Sequence, residues 1–192
     1  MEPLAAHDSA AHALLTATLL VWLGLELLVR LRNRGARRPF DWTLFPVVGS
    51  IGVAIAIAYR ADHVERTVLG GGWAPFVVGY VILVLGVAFR FWAIATLGRL
   101  FTAQVAIQES HRVVRSGPYR FVRHPSYTGG LVALIGLGIA LDDWLSILVL
   151  ALLPLAGIVV RIRHEEQVLT AQFGDEYRSY AAHTSRLVPG VW

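Results

Sequence analysis

The sequence predicts an all-α integral membrane protein with about five transmembrane helices, a long cytoplasmic loop and a helical C-terminal tail. Three observations support this prediction. Of the 192 residues, 56% are hydrophobic and only 16% are charged, against about 25% charged in ordinary soluble domains. Five long stretches carry almost no charge. The arginines cluster at the ends of these stretches, as the positive-inside rule describes. We expect one membrane-embedded domain over residues 1–192.

Each apolar stretch has the length of a membrane-spanning helix, which needs about 17–25 residues. None shows the polar stripe of a helix on a soluble core. The first is expected to be a retained span, because Glu2 and Asp8 precede it where a signal peptide would carry basic residues. The predicted spans cover residues 11–29, 43–59, 74–98, 125–141 and 144–160.

The charges predict a topology. All 17 basic residues are arginine, five of them between Arg30 and Arg38, six between Arg90 and Arg123, and four after the fifth span. Acidic residues offset the two arginines between spans two and three, and Asp142-Asp143 joins spans four and five. This distribution predicts an N-terminus on the outside of the membrane and a cytoplasmic C-terminus. The net charge of +4 is then a signal of topology, and we expect no nucleic-acid partner.

The absence of cysteine excludes a disulfide scaffold, a thiolate zinc site and a cysteine nucleophile. His111 and His124 lack a third metal ligand at a recognised spacing, so no metal site is expected. The chain is also far too apolar to be intrinsically disordered.

Two polar segments, the loop at 99–124 and the tail at 161–192, are predicted to share the cytoplasmic face. The loop ends in RHPSY, where Pro125 suits the first turn of the fourth span. That helix N-terminus would suit a carboxylate. The composition alone is also consistent with interfacial tyrosines and a topology-setting Arg123.

In the tail, apolar residues after Arg161 predict a helix that leaves the bilayer, lies on its surface and ends near Gly174. Arg161 and Glu165 share one face of that helix. They form either a surface ion pair or two parts of a ligand site. Within the first span, Glu26 is interpreted as a structural partner of Arg30, four residues on, while Arg90 either snorkels or faces a cavity.

Two blocks of the sequence resemble the isoprenylcysteine carboxyl methyltransferase family. They are HRVVRSGPYRFVRHPSYTG at 111–129 and RIRHEEQVLTAQFGDEYRSY at 161–180. They occur in the family's order with a hydrophobic hairpin between them, and the resemblance covers the chain from Thr96 onward. It implies transfer of a methyl group from S-adenosylmethionine to the carboxylate of a lipophilic acceptor, such as a prenylated cysteine. The loop at 99–124 would then be a cofactor-binding loop.

The resemblance also implies roles for individual residues. Arg161 would bind the methyl-accepting group, and Glu165 would hold a polar part of the cofactor, so these two would form the catalytic pair. The rest of the cofactor pocket would consist of Gln104 (or Gln108 in its place), His111, Arg112, Val113, Val114, Tyr119, His124, Pro125, Ser126 and Tyr127.

Other functions stay open at this point. Related membrane sterol reductases, which bind a nicotinamide dinucleotide, carry similar RHPxY motifs, and so do phospholipid methyltransferases. A small thiol is a further possible acceptor. A membrane scaffold or transport subunit would explain the spans but not the polar residues gathered on one face. Nothing in the sequence recognises a prenyl chain or sets an oligomeric state.

Overall fold

The computed structural model describes residues 8–32, 42–61, 69–98 and 113–192. Within these ranges the chain is helical, with a 3-10 turn at Gly117–Arg120 and an isolated bridge between Val122 and Ser185 in place of any strand. The all-α prediction is therefore confirmed for the described residues. The helices are α1 (Ser9–Arg32), α2 (Leu44–Ala61), α3 (Trp73–Leu97), α4 (Pro125–Ala140), α5 (Trp144–Phe173) and α6 (Asp175–Ala182).

Three of these helices, α1, α3 and α5, are long and apolar enough to cross a membrane. The apolar part of α2, Leu44–Ala58, and the whole of α4 are shorter. At 1.5 Å per residue, the 16 residues of α4 extend about 24 Å, less than the roughly 30 Å of a bilayer core. Both short helices pack against longer ones.

Helix α5 is longer than the span predicted at 144–160. It runs unbroken for 30 residues to Phe173 and ends at Gly174, whose φ of 51° suits glycine. The predicted stop near Gly174 is confirmed, and the expected tail helix is the continuation of α5 itself. Arg161 and Glu165 therefore lie on the same continuous helix as the apolar span.

Helices α3 and α4 pack backbone to backbone. A Cβ atom on Gly79, Gly86, Gly129 or Gly136 would meet backbone atoms of the facing helix at under 3.0 Å. Helix α5 packs on α4 and also on α2, so α4 and α5 form the centre of the bundle, while α1 lies against α3 with few contacts. The resulting apolar core includes Leu83, Ala133, Leu134, Leu137 and Leu150.

The chain after α6 folds back onto the start of α4. The backbone N–H groups of Arg123 and His124 donate to the carbonyls of Ser185 and Arg186, at 2.8 and 3.0 Å. The hydroxyl of Thr128 donates to the carbonyl of Leu187 at 2.8 Å. The last residues thus hold the RHPSY segment where α4 begins.

Candidate active site

A cavity of about 730 Å³ opens among α1–α6 at the end of the bundle where α4 begins. Its deeper wall is apolar and includes Leu19, Leu23, Ile51, Leu134 and Leu137. Its other end carries charged and aromatic side chains from the segment before α4, from α5 and from α6. A cavity of this size lies within the range of small-molecule sites, about 300–1,000 Å³.

The structure places most of the sequence-predicted site residues in the wall of this one cavity. These are Val113, Val114, Tyr119, His124, Ser126, Tyr127, Arg161 and Glu165. Pro125 lies behind the wall, fully buried at the first position of α4. Gln104, Gln108, His111 and Arg112 lie outside the described residues.

Arg161 is buried, with only 2% of its surface exposed. Its Nε lies 2.6 Å from the hydroxyl of Tyr127 and 3.1 Å from Oε1 of Glu165, and its Nη1 donates to Oγ1 of Thr43 at 3.1 Å. The Tyr127 hydroxyl in turn donates to Glu165. The pair Arg161–Glu165 is therefore not a surface ion pair but the centre of a buried polar network. Such a network is costly to bury unless its members are bonded.

His124 lies between two carboxylates of α5. Its Nδ1 is 3.4 Å from Oε2 of Glu165, and its Nε2 is 3.3 Å from Oε1 of Glu166. Burial disfavours the charged imidazole, but the hydrogen bonds and charges of Glu165 and Glu166 outweigh it and raise the pKa of His124. The protonated ring can donate to both carboxylates at once.

Glu166, on α5, connects the segment before α4 to the chain after α6. Besides His124, it binds Arg123 Nε at 2.8 Å and Arg186 Nε at 2.9 Å. Arg123 also donates to the carbonyls of Ala181 and Thr184. Arg123 is thus a bonded part of the site rather than only a topology-setting charge. Its position in a basic loop gave no sign of this role.

The sequence-based interpretation of Glu26 is wrong about its partner. Glu26 binds the guanidinium of Arg90, on α3, through both carboxylate oxygens, and the indole Nε1 of Trp22 donates to it at 3.1 Å. Arg90 Nη1 also donates to the carbonyl of Ser126 at 2.9 Å. The i+4 spacing to Arg30 suggested a local pair, but the partner comes from another helix. Both Glu26 and Arg90 line the cavity.

Sequence reasoning missed three further residues. Thr43, fully buried at the start of α2, binds Arg161. Tyr177 and Tyr180 line the cavity from α6. Their spacing of three residues, with charged neighbours in DEYRSY, is the signal of a buried helix face.

Comparisons with known proteins identify the family to which the chain is similar. The model of the isoprenylcysteine carboxyl methyltransferase family matches residues 78–171. Protein-S-isoprenylcysteine O-methyltransferase B of Arabidopsis thaliana is 36% identical over 137 residues, which are 70% of each chain. A probable protein-S-isoprenylcysteine O-methyltransferase of Oryza sativa subsp. indica is 35% identical over 121 residues. That match covers 62% of this chain and 63% of the rice protein.

The fold also resembles a solved structure, that of the eukaryotic intramembrane Ras methyltransferase ICMT. The TM-score is 0.57 at 26% sequence identity, over 77% of this chain and 52% of the solved one. The family match begins inside α3 and ends inside α5, and so includes Arg90, the RHPSY segment, Arg161 and Glu165. The chain therefore belongs to the isoprenylcysteine carboxyl methyltransferase family.

Proposed function

We propose that this protein transfers a methyl group from S-adenosylmethionine to the carboxylate of a lipophilic acceptor, such as a prenylated cysteine. Family membership supports the reaction class. The observation that carries the proposal is the buried network of Arg161, Tyr127 and Glu165, which lies at the polar end of a largely apolar cavity. An acceptor with a charged head and a lipid tail matches a cavity with these two ends.

We further propose that helices α1 to α5 all cross the membrane as one unit, with the N-terminus outside and the C-terminus in the cytoplasm. The arginine distribution supports this orientation. The polar end of the cavity would then face the cytoplasm, from which the charged methyl donor would enter. The apolar wall of the cavity would lie within the hydrocarbon layer of the membrane. Membrane lipid would surround the exposed apolar faces of α1 and α2.

The residues of the polar end fit S-adenosylmethionine. The ligand combines an aromatic ring, hydroxyls and a charged amino acid group, and the cavity wall combines Val113 and Val114 with Tyr119, His124 and the Glu165 carboxylate. When bound, this cofactor supplies an electrophilic methyl group on a sulfonium. Glu165 would hold the cofactor's positively charged part, and the tyrosines would pack against its rings.

Arg161 would bind the acceptor carboxylate. A carboxylate is already ionised at neutral pH, so the reaction needs no general base. The guanidinium can hold such a group through two parallel N–H bonds and offset the loss of its hydration. The bonds from Arg161 to Tyr127 and Thr43 fix the direction of the side chain before the acceptor arrives. Orientation of this kind lowers a barrier by up to about 7–11 kcal/mol.

A labelled-methyl assay tests the proposal. The purified protein in nanodiscs is incubated with S-adenosylmethionine carrying a radioactive methyl group and with N-acetyl-S-farnesylcysteine. The matched control acceptor is the amide of the same molecule, which keeps the lipid and lacks the carboxylate. We expect label in the free acid as a base-labile ester and none in the amide. Label that enters phospholipid amines, or a small thiol, and not the free acid would contradict the proposal.

A further inference from the structure

The hydroxyl of Tyr177 is a buried polar group with no hydrogen-bond partner among the residues that the structure describes. Tyr177 is 4% exposed. Tyr180, three residues further along α6, donates from its own hydroxyl to the carbonyl of Tyr119 at 2.6 Å. Leaving a buried donor unbonded costs about 1–3 kcal/mol. Such groups are few in native proteins, and each calls for an explanation.

Tyr177 also belongs to the polar end of the cavity. It lines that cavity together with Tyr119, Tyr180 and Glu165, and its ring centroid lies 6.0 Å from that of Tyr180. Burial, and after it the charge of Glu166, raise the pKa of the Tyr177 phenol. The group is therefore protonated at neutral pH, so it is available to donate a hydrogen bond.

We propose that Tyr177 is a cofactor-binding residue, whose hydroxyl donates a hydrogen bond to an oxygen or nitrogen of the bound methyl donor. This inference rests on the proposed function, which identifies the methyl donor as S-adenosylmethionine. The ribose oxygens, ring nitrogens and carboxylate of S-adenosylmethionine all accept hydrogen bonds. The lipid tail of the acceptor offers no such atom, and its carboxylate is assigned to Arg161. The unbonded hydroxyl therefore matches S-adenosylmethionine better than it matches the carboxylate substrate.

The proposal predicts opposite effects of one substitution on two measurements. Replacing Tyr177 by phenylalanine removes an unsatisfied group, so the ligand-free protein should melt at the same temperature as the wild type or higher. The same change removes one bond to the cofactor, so affinity for S-adenosylhomocysteine should fall about 2- to 12-fold. Tyr180→Phe is the matched control, because its hydroxyl has a partner in the protein, and it should lower the melting temperature.

The experiment combines thermal unfolding of the ligand-free variants in detergent with calorimetric titration of S-adenosylhomocysteine and, separately, of N-acetyl-S-farnesylcysteine. An unchanged affinity of Tyr177→Phe for S-adenosylhomocysteine would overturn the inference alone. So would a lower melting temperature, or a loss of affinity confined to the farnesylcysteine. If the wild type itself failed to bind S-adenosylhomocysteine, the proposed function would fail, and with it the role of Tyr177.

Discussion

At the scale of single residues, two of the cations that lie beside the carboxylates of α5, Arg161 and His124, differ in how they respond to pH. Arg161 contacts Glu165, and His124 contacts both Glu165 and Glu166. One of these cations is permanent and the other depends on pH. The two therefore make different predictions, one for catalysis and one for stability.

Replacing Arg161 should abolish turnover while the protein still inserts into the membrane. Arg161→Ala loses two charge-assisted bonds to the acceptor, each about 1.5–3 kcal/mol, so kcat/KM should fall by at least about 100-fold. Arg161→Lys should also be poor, because lysine lacks the bidentate fork. The assay is methyl transfer to N-acetyl-S-farnesylcysteine, with monodisperse extraction in detergent as the measure of folding.

Arg163→Ala is the matched control, because Arg163 lies two residues away on the same helix and is exposed. It should retain near-normal turnover. Normal turnover by Arg161→Ala would refute the assigned role of Arg161 in acceptor binding.

His124 should make stability depend on pH. Its pKa is raised in the folded protein, against about 6.5 in the unfolded chain. Stability from such a group is fully present below the unfolded pKa, and it is lost as pH rises through the folded pKa. The difference in melting temperature between the wild type and His124→Gln should therefore be largest below about pH 6.5 and shrink at higher pH. A difference that grows with pH would show that the ring is buried neutral.

At the scale of helices, the site depends on the close packing of α3 against α4. Four glycines, Gly79 and Gly86 on α3 and Gly129 and Gly136 on α4, bring the two backbones together. This places Arg90 of α3 within hydrogen-bonding distance of the carbonyl of Ser126, at the polar end of the cavity. The packing thus sets the position of the RHPSY segment as well as the core.

Gly86→Ala should destabilise the protein, because the new methyl group would overlap the backbone of Ala133. Overpacking of this kind costs about 1–3 kcal/mol. Gly52→Ala is the matched control in α2, where a methyl group meets nothing within 4 Å. It should leave stability unchanged or raise it by up to about 1 kcal/mol through helix propensity. Thermal unfolding in detergent measures both, and equal melting temperatures would contradict the packing described here.

The positions of α1 to α5 were predictable from sequence because each contains a long stretch with almost no charge, although α5 continues beyond its stretch to Phe173. Local signals also marked the start of α4 at Pro125 and the end of α5 at Gly174. The partner of Glu26 was not predictable in this way, because helical spacing proposes only neighbours on the same helix and Arg90 lies on another. The family resemblance implied eight of the residues that line the cavity, whereas Thr43 and Tyr177 were not among the residues it implied and needed the three-dimensional structure.

At the scale of the whole molecule, the residues after α5 form part of the cavity wall from outside the bundle of long helices. The segment before α4, the end of α5 and the residues after α6 meet at Arg123 and Glu166. The site is therefore assembled from parts of the chain that are far apart in sequence. Loosening the tail should affect the cavity as well as the fold.

Arg123→Gln should lower both the melting temperature and the affinity for S-adenosylhomocysteine. It removes the bonds to Glu166 and to the carbonyls of Ala181 and Thr184, which connect the segment before α4 to α5 and to the end of α6. Arg120→Gln is the matched control, because Arg120 is exposed and lies over the ring of Phe121. If both variants bound S-adenosylhomocysteine as the wild type does, the tail would have no part in forming the site.

The central claim is that one cavity receives a charged donor at its polar end and the lipid tail of a carboxylate acceptor along its apolar wall. An experimental structure with S-adenosylhomocysteine and N-acetyl-S-farnesylcysteine bound together tests it most directly. We predict the carboxylate within hydrogen-bonding distance of Arg161, the sulfur beside it, and the farnesyl chain against Leu134 and Leu137. A carboxylate remote from Arg161, or the two ligands in separate cavities, would contradict the claim.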